Sequence, residues 1–123
     1  MLSHLSFGVS DLARAAAFYD KALAPLGYVR VFANDRAVGF GDPGSEDGLA
    51  LFSKPNSAAG PGPGFHLAFK APSREAVDAF HSAAMLAGGK DEGAPGPRPQ
   101  YGPTYYAAFV TDIDGYKLEA HYQ

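Results

Sequence analysis

The residues able to do chemistry in this chain are few. There is no cysteine, so disulfides, thiolate metal sites and a thiol nucleophile are excluded together, and His, Asp and Glu remain as metal ligands. Two of the four histidines begin matching segments: His4-Leu5-Ser6-Phe7 and His66-Leu67-Ala68-Phe69. Near the C-terminus Glu119 and His121 alternate with Leu118, Ala120 and Tyr122. Two imidazoles and one carboxylate hold a divalent ion such as zinc, iron, manganese or nickel and leave coordination positions open. The expected metal ligands are therefore His4, His66 and Glu119.

The elements that would position these residues occur twice. A shift that carries His4 onto His66 also carries Ala17-Phe18 onto Ala79-Phe80, Ala22 onto Ala84 and Gly27 onto Gly89. A repeat present only twice suits a duplicated supersecondary module better than a solenoid. Each copy opens with an alternating strand. A helix follows, capped by Ser10 or Asp11 in the first copy and by Ser73 in the second. The first helix runs to about Ala24 with Leu12, Ala16, Tyr19 and Leu23 on one face. The second ends before Gly88-Gly89, with Val77, Phe80, Ala84 and Ala87 on its face. Three short strands complete each copy: about Tyr28–Phe32, Ala37–Gly41 and Leu49–Ser53, then a weak one near Lys90–Glu92, Tyr105–Asp112 and Tyr116–Tyr122. The Pro/Gly-rich stretches Asn56–Gly64 and Gly93–Pro103 read as irregular, the latter placed to cover a pocket.

The expected fold is α+β: two βαβββ modules forming an eight-stranded, open, barrel-like cup with helices outside. One domain spans residues 1–123, with module one at 1–55, a linker at 56–64 and module two at 65–123. Alternation sends Leu5, Phe7, Leu67, Phe69, Leu118, Ala120 and Tyr122 toward the helices, and His4, His66, Lys117, Glu119 and His121 into the cup. Aligning Asp47-Gly48 with Asp114-Gly115 sets Phe52 opposite Glu119, so module one offers no carboxylate and three protein ligands are expected. His81 occupies the position of Tyr19 and reads as packing or surface. His121 shares the face of Glu119 and reads as a substrate-binding, supporting or competing group.

The run His4-Leu-Ser-Phe-Gly-Val-Ser-Asp-Leu12, then Ala17-Phe-Tyr19 and Leu26-Gly-Tyr28, resembles the opening of vicinal-oxygen-chelate proteins, the glyoxalase, bleomycin-resistance and dioxygenase superfamily. Tyr105-Tyr-Ala-Ala-Phe-Val110, Asp112, Asp114-Gly115 and Glu119 resemble its closing hairpin. The resemblance implies metal ligands on the first and last strands of the modules, hence His4, His66 and Glu119, with Phe52 where glyoxalase I-like members have a carboxylate. Two His and one Glu are also similar to the set in extradiol dioxygenases. Short relatives often flank the tyrosine equivalent to Tyr101 with histidines; here Gln100 and Gly102 stand there. The resemblance further implies a homodimer, with the site in one chain or shared between two.

Bulk properties narrow the class. A hydrophobic fraction of 46% with 19% charged residues is that of a globular protein. The net charge of −3 and scattered basic residues argue against nucleic acid. Neither a signal sequence nor a membrane-length apolar run is evident, so the expected location is cytoplasmic. Three functions compete. The first is a metal-dependent glyoxalase-like lyase or isomerase acting on a small substrate chelated through adjacent oxygens. There Glu119 is ligand and base, Tyr106 or Tyr101 donates a hydrogen bond, and Arg98 or Lys70 holds an anionic group. The second is a ring-cleaving dioxygenase. The third is a non-catalytic, antibiotic-resistance-like binder, with Phe40, Phe52, Tyr101 and Tyr106 against a flat ligand.

Overall fold

A computed structural model describes residues 1–57 and 60–123. The linker expected at 56–64 therefore lies partly outside the described residues. Module one comprises β1 (Leu5–Val9), α1 (Leu12–Leu23), β2 (Val29–Ala33), β3 (Ala37–Gly41) and β4 (Leu49–Ser53). Module two comprises β5 (Leu67–Lys70), α2 (Arg74–Leu86), β6 (Lys90–Pro97), β7 (Tyr106–Thr111) and β8 (Lys117–Tyr122). Asp11 caps α1 by accepting from the Arg14 amide, and Ser73 caps α2 by accepting from the Ala76 amide. Each cap satisfies an amide that the first helical turn leaves free.

The strands form two separate four-stranded sheets, ordered β1-β4-β3-β2 and β5-β8-β7-β6. In each, the first strand runs parallel to the last, and the other pairs are antiparallel. The sheets do not close into a barrel; the arrangement stays open and cup-like. Alternation sorts the faces. Phe7, Val9, Val38, Phe40, Leu49 and Leu51 of the first sheet share one core with Val110, Leu118 and Ala120 of the second and with Tyr19, Leu23, Val77 and Phe80 of the helices. The two helices pack on each other. Both sheets thus turn their apolar faces to a common helix layer, and their other faces look away from it.

One departure from the sequence pattern is β6, which continues to Pro97 and is not confined to Lys90–Glu92. Its pairing with β7 shifts register on both sides of Gly93, and such bulges mask the period-two signal. Gly93–Pro103 is accordingly half strand and half a short 3-10 turn at Pro99–Tyr101.

The β7–β8 turn stitches the modules together. Buried Asp112 accepts the amides of Asp114 and Tyr116 through Oδ1 (both 2.9 Å) and the Tyr19 hydroxyl of module one through Oδ2. Ser10 donates its amide and hydroxyl to Asp114 Oδ1 (3.0 and 2.7 Å), and the Tyr116 hydroxyl donates to the Gly8 carbonyl (2.8 Å). Gly115 takes φ 93°, a conformation open to glycine at little cost. Against it lies Gly60, where an added Cβ would strike the Gly115 carbonyl.

Candidate functional site

The non-helical face of the second sheet gathers the chemistry. β5 and β8 are in parallel register with Ala68 opposite Glu119, which sets His66, just ahead of β5, level with the start of β8, from where its ring reaches Glu119. His66 Nε2 lies 2.9 Å from Glu119 Oε1. Glu119 is only 2% exposed, while the His66 side chain is 46% exposed, so the pair joins a buried carboxylate to an open surface. The second carboxylate oxygen accepts the Tyr105 hydroxyl at 2.5 Å. Burial pushes the Tyr105 hydroxyl pKa above its ordinary value, and the adjacent Glu119 pushes it further. Tyr105 therefore remains a proton donor at neutral pH.

Aromatic rings frame the pair. His121 stacks on Tyr105 with centroids 4.9 Å apart and planes 4° from parallel, and Tyr101 meets Tyr105 edge-on at 5.3 Å. Among the described residues His121 Nδ1 is buried without a hydrogen-bond partner. Phe109, opposite Glu119 in the β7–β8 ladder, meets His66 edge-on at 5.7 Å.

The family model for the glyoxalase/bleomycin resistance protein/dioxygenase superfamily matches residues 1–120. The chain belongs to that superfamily. It is similar over its whole length to a glyoxalase/bleomycin resistance protein from Albidiferax ferrireducens, with 34% identity, 98% of that chain covered and a TM-score of 0.84. A fosfomycin resistance protein, FosX, from Listeria monocytogenes shares the fold at 21% identity and TM-score 0.70, covering 98% of this chain and 91% of that one. A glyoxalase I mutant from Zea mays matches at 26% identity and TM-score 0.73; 96% of this chain spans 44% of that one. No curated protein matches.

Within this superfamily fold, the expected site residues divide. His66, Glu119, Tyr101 and His121 come together. His4 stands apart: it is exposed, and its Nδ1 meets the Ser3 hydroxyl at 2.9 Å. Among the described residues no group of three or more His, Cys, Asp or Glu gathers to hold a metal.

Tyr106 is placed away from this group. It faces α2, donating its hydroxyl to Asp78 at 2.6 Å with Arg74 over its ring, so the tyrosine on Glu119 is its neighbour Tyr105. One step along a strand reverses the face. Arg98 is largely committed elsewhere, donating to the carbonyls of Ala94, Gly96 and Pro97 at 2.8–3.3 Å, with its guanidinium over Phe109. It clamps the bulged β6.

Phe52 also moves relative to the repeat. Leu5 pairs with Leu49 while Leu67 pairs with Leu118, so Glu119 corresponds to Ala50 and His121 to Phe52. Aligning the Asp-Gly turns slips the match by two residues because the β3–β4 connection is longer. Alanine ligates no better than phenylalanine, so module one still offers no carboxylate. Phe52 is 38% exposed on the first sheet. His81 contacts Asp91 at 3.0 Å. A larger cavity of about 590 Å³ at the seam between modules is lined by Tyr28, Phe40, Leu67 and Lys70, among others. It includes neither His66 nor Glu119 and is lined by different chemistry.

Proposed function

We propose that the protein is a metal-dependent glyoxalase-like lyase or isomerase acting on a small substrate that presents two adjacent oxygens. The observation that carries this reading is the His66–Glu119 pair, a buried carboxylate held 2.9 Å from an imidazole with no Lys or Arg ion pair among the described residues. Burying a carboxylate is unfavourable without a positive partner. The donor types fit a divalent ion, and so does their spacing. Two donors each about 2.1 Å from one ion at a right angle stand about 3 Å apart.

The third ligand of this proposal is His4, supplied by a second copy. The helices of one chain pack together, so the ligand-bearing faces of its modules look apart. A three-ligand site then needs module one of one chain over module two of another. This makes the protein a homodimer with two shared sites.

A bound divalent ion would act as a Lewis acid on the substrate oxygens and stabilise developing negative charge. The chain's own contribution is positional and protonic. Tyr105 fixes Glu119 through Oε2, leaving Oε1 toward His66. His121, stacked flat against Tyr105, holds that ring beside Glu119. Glu119 is the carboxylate on this face placed to accept a proton from a substrate carbon.

Metal analysis after loading with zinc, nickel, manganese or iron tests the reading. Wild type is expected to hold stoichiometric metal, and His66→Ala and Glu119→Gln to hold none while keeping the native far-UV circular dichroism. Full occupancy in either variant removes that residue from the ligand set. Iron with oxygen uptake on a catechol would replace the lyase by the dioxygenase reading, and a metal-free protein that binds a flat ligand would favour the binder.

A further inference from the structure

Lys117 is a cation on the chemical face that the proposed metal site leaves unused. It lies two residues before Glu119 on β8 and on the same side of the sheet, so about 7 Å separates their Cα atoms. Its Nζ sits 5.3 Å from the centroid of Phe109, the ring that also meets His66 at its edge. A recess of about 350 Å³ opens there, lined by His66, Thr111, Lys117 and Glu92 beside the turn at Gly62–Gly64. Glu92 shares the recess, yet among the described residues Lys117 makes no ion pair with it or with any other carboxylate.

The other nearby cations are placed differently. The terminal nitrogens of Arg98 are occupied by three carbonyls, and Lys70 lines the separate cavity at the module seam. An unpaired ammonium held over an aromatic face, beside a threonine and an imidazole, is a receptor for a compact oxyanion.

We infer that Lys117 receives an oxyanion of the substrate, which is therefore a small organic acid. Its acidic group lies about one functional group away from the oxygens presented to His66 and Glu119. This second half rests on the function proposed above; the anion site itself does not.

The test uses metal-free protein titrated separately with acetate and methylphosphonate, followed by the backbone amide resonances of Thr111, His66 and Lys117. Wild type and Lys117→Arg are expected to shift saturably, and Lys117→Met to bind roughly tenfold more weakly or not at all. The acid that saturates at lower concentration names the class of the substrate's anionic group. No saturable shift in wild type, or equal binding by Lys117→Met with its native spectrum retained, overturns the inference. Metal uptake is measured independently. Anion binding that depends on Lys117 in a protein that takes up no metal preserves the oxyanion site and removes the metal reading. Metal uptake with Lys117-independent anion binding does the reverse.

Discussion

Tyr105 holds one oxygen of Glu119 while the other faces His66, so the carboxylate is oriented before any ligand arrives. Removing that hydroxyl in Tyr105→Phe is expected to leave metal stoichiometry intact and weaken affinity by about 10–100-fold. Competition with a chelator of known affinity measures it. Unchanged affinity would make Tyr105 a packing residue. The tyrosines also set the alkaline limit. The hydroxyls of Tyr19, Tyr28, Tyr105 and Tyr116 are raised chiefly by burial, and that of Tyr106 chiefly by its hydrogen bond to Asp78. The folded state therefore keeps protons that the unfolded state releases near pH 10. This contribution is complete below pH 10 and is lost as pH rises through the higher folded values. Phenolate absorbance from these five tyrosines in the native protein should develop late and then rise abruptly on alkaline unfolding. Simple titration of these five near pH 10 without unfolding would contradict this.

At the scale of elements, the first and last strands carried a clean alternation. Leu5, Phe7, Leu67, Leu118 and Ala120 pointed to the core and His66 and Glu119 away from it, and the structure places them so. The helix faces were equally legible, because apolar residues every three or four positions mark one side of α1 and α2. Less was legible where the backbone breaks period. Bulges around Gly93 hid the full length of β6, unequal hairpin connections slipped the repeat by two residues, and two adjacent tyrosines gave no sign of which one faced Glu119. The Asp112 turn was readable as a turn but not as the bridge between modules. Asp112→Ala removes the acceptor of one buried and one part-buried amide and of the buried Tyr19 hydroxyl. The expected loss is about 2–4 kcal/mol of stability, read from urea unfolding. A loss below about 0.5 kcal/mol, the range of ordinary surface substitutions, would show that the bridge contributes little.

At the scale of the molecule, the sequence supplied the ligand candidates but not their distribution between chains, since alternation assigns a face and says nothing of how two modules turn relative to each other. The packing of α1 on α2 supplies the reason to look to a second copy. If His4 of one chain serves His66 and Glu119 of another, His4→Ala and His66→Ala are each metal-free as homodimers. Mixing them by reversible unfolding and refolding then rebuilds one intact site in every mixed dimer, the other site carrying both defects. The account predicts that isolated mixed dimers bind about one ion each. Mixed dimers that stay empty, or a His4→Ala homodimer that keeps its full metal, would contradict it.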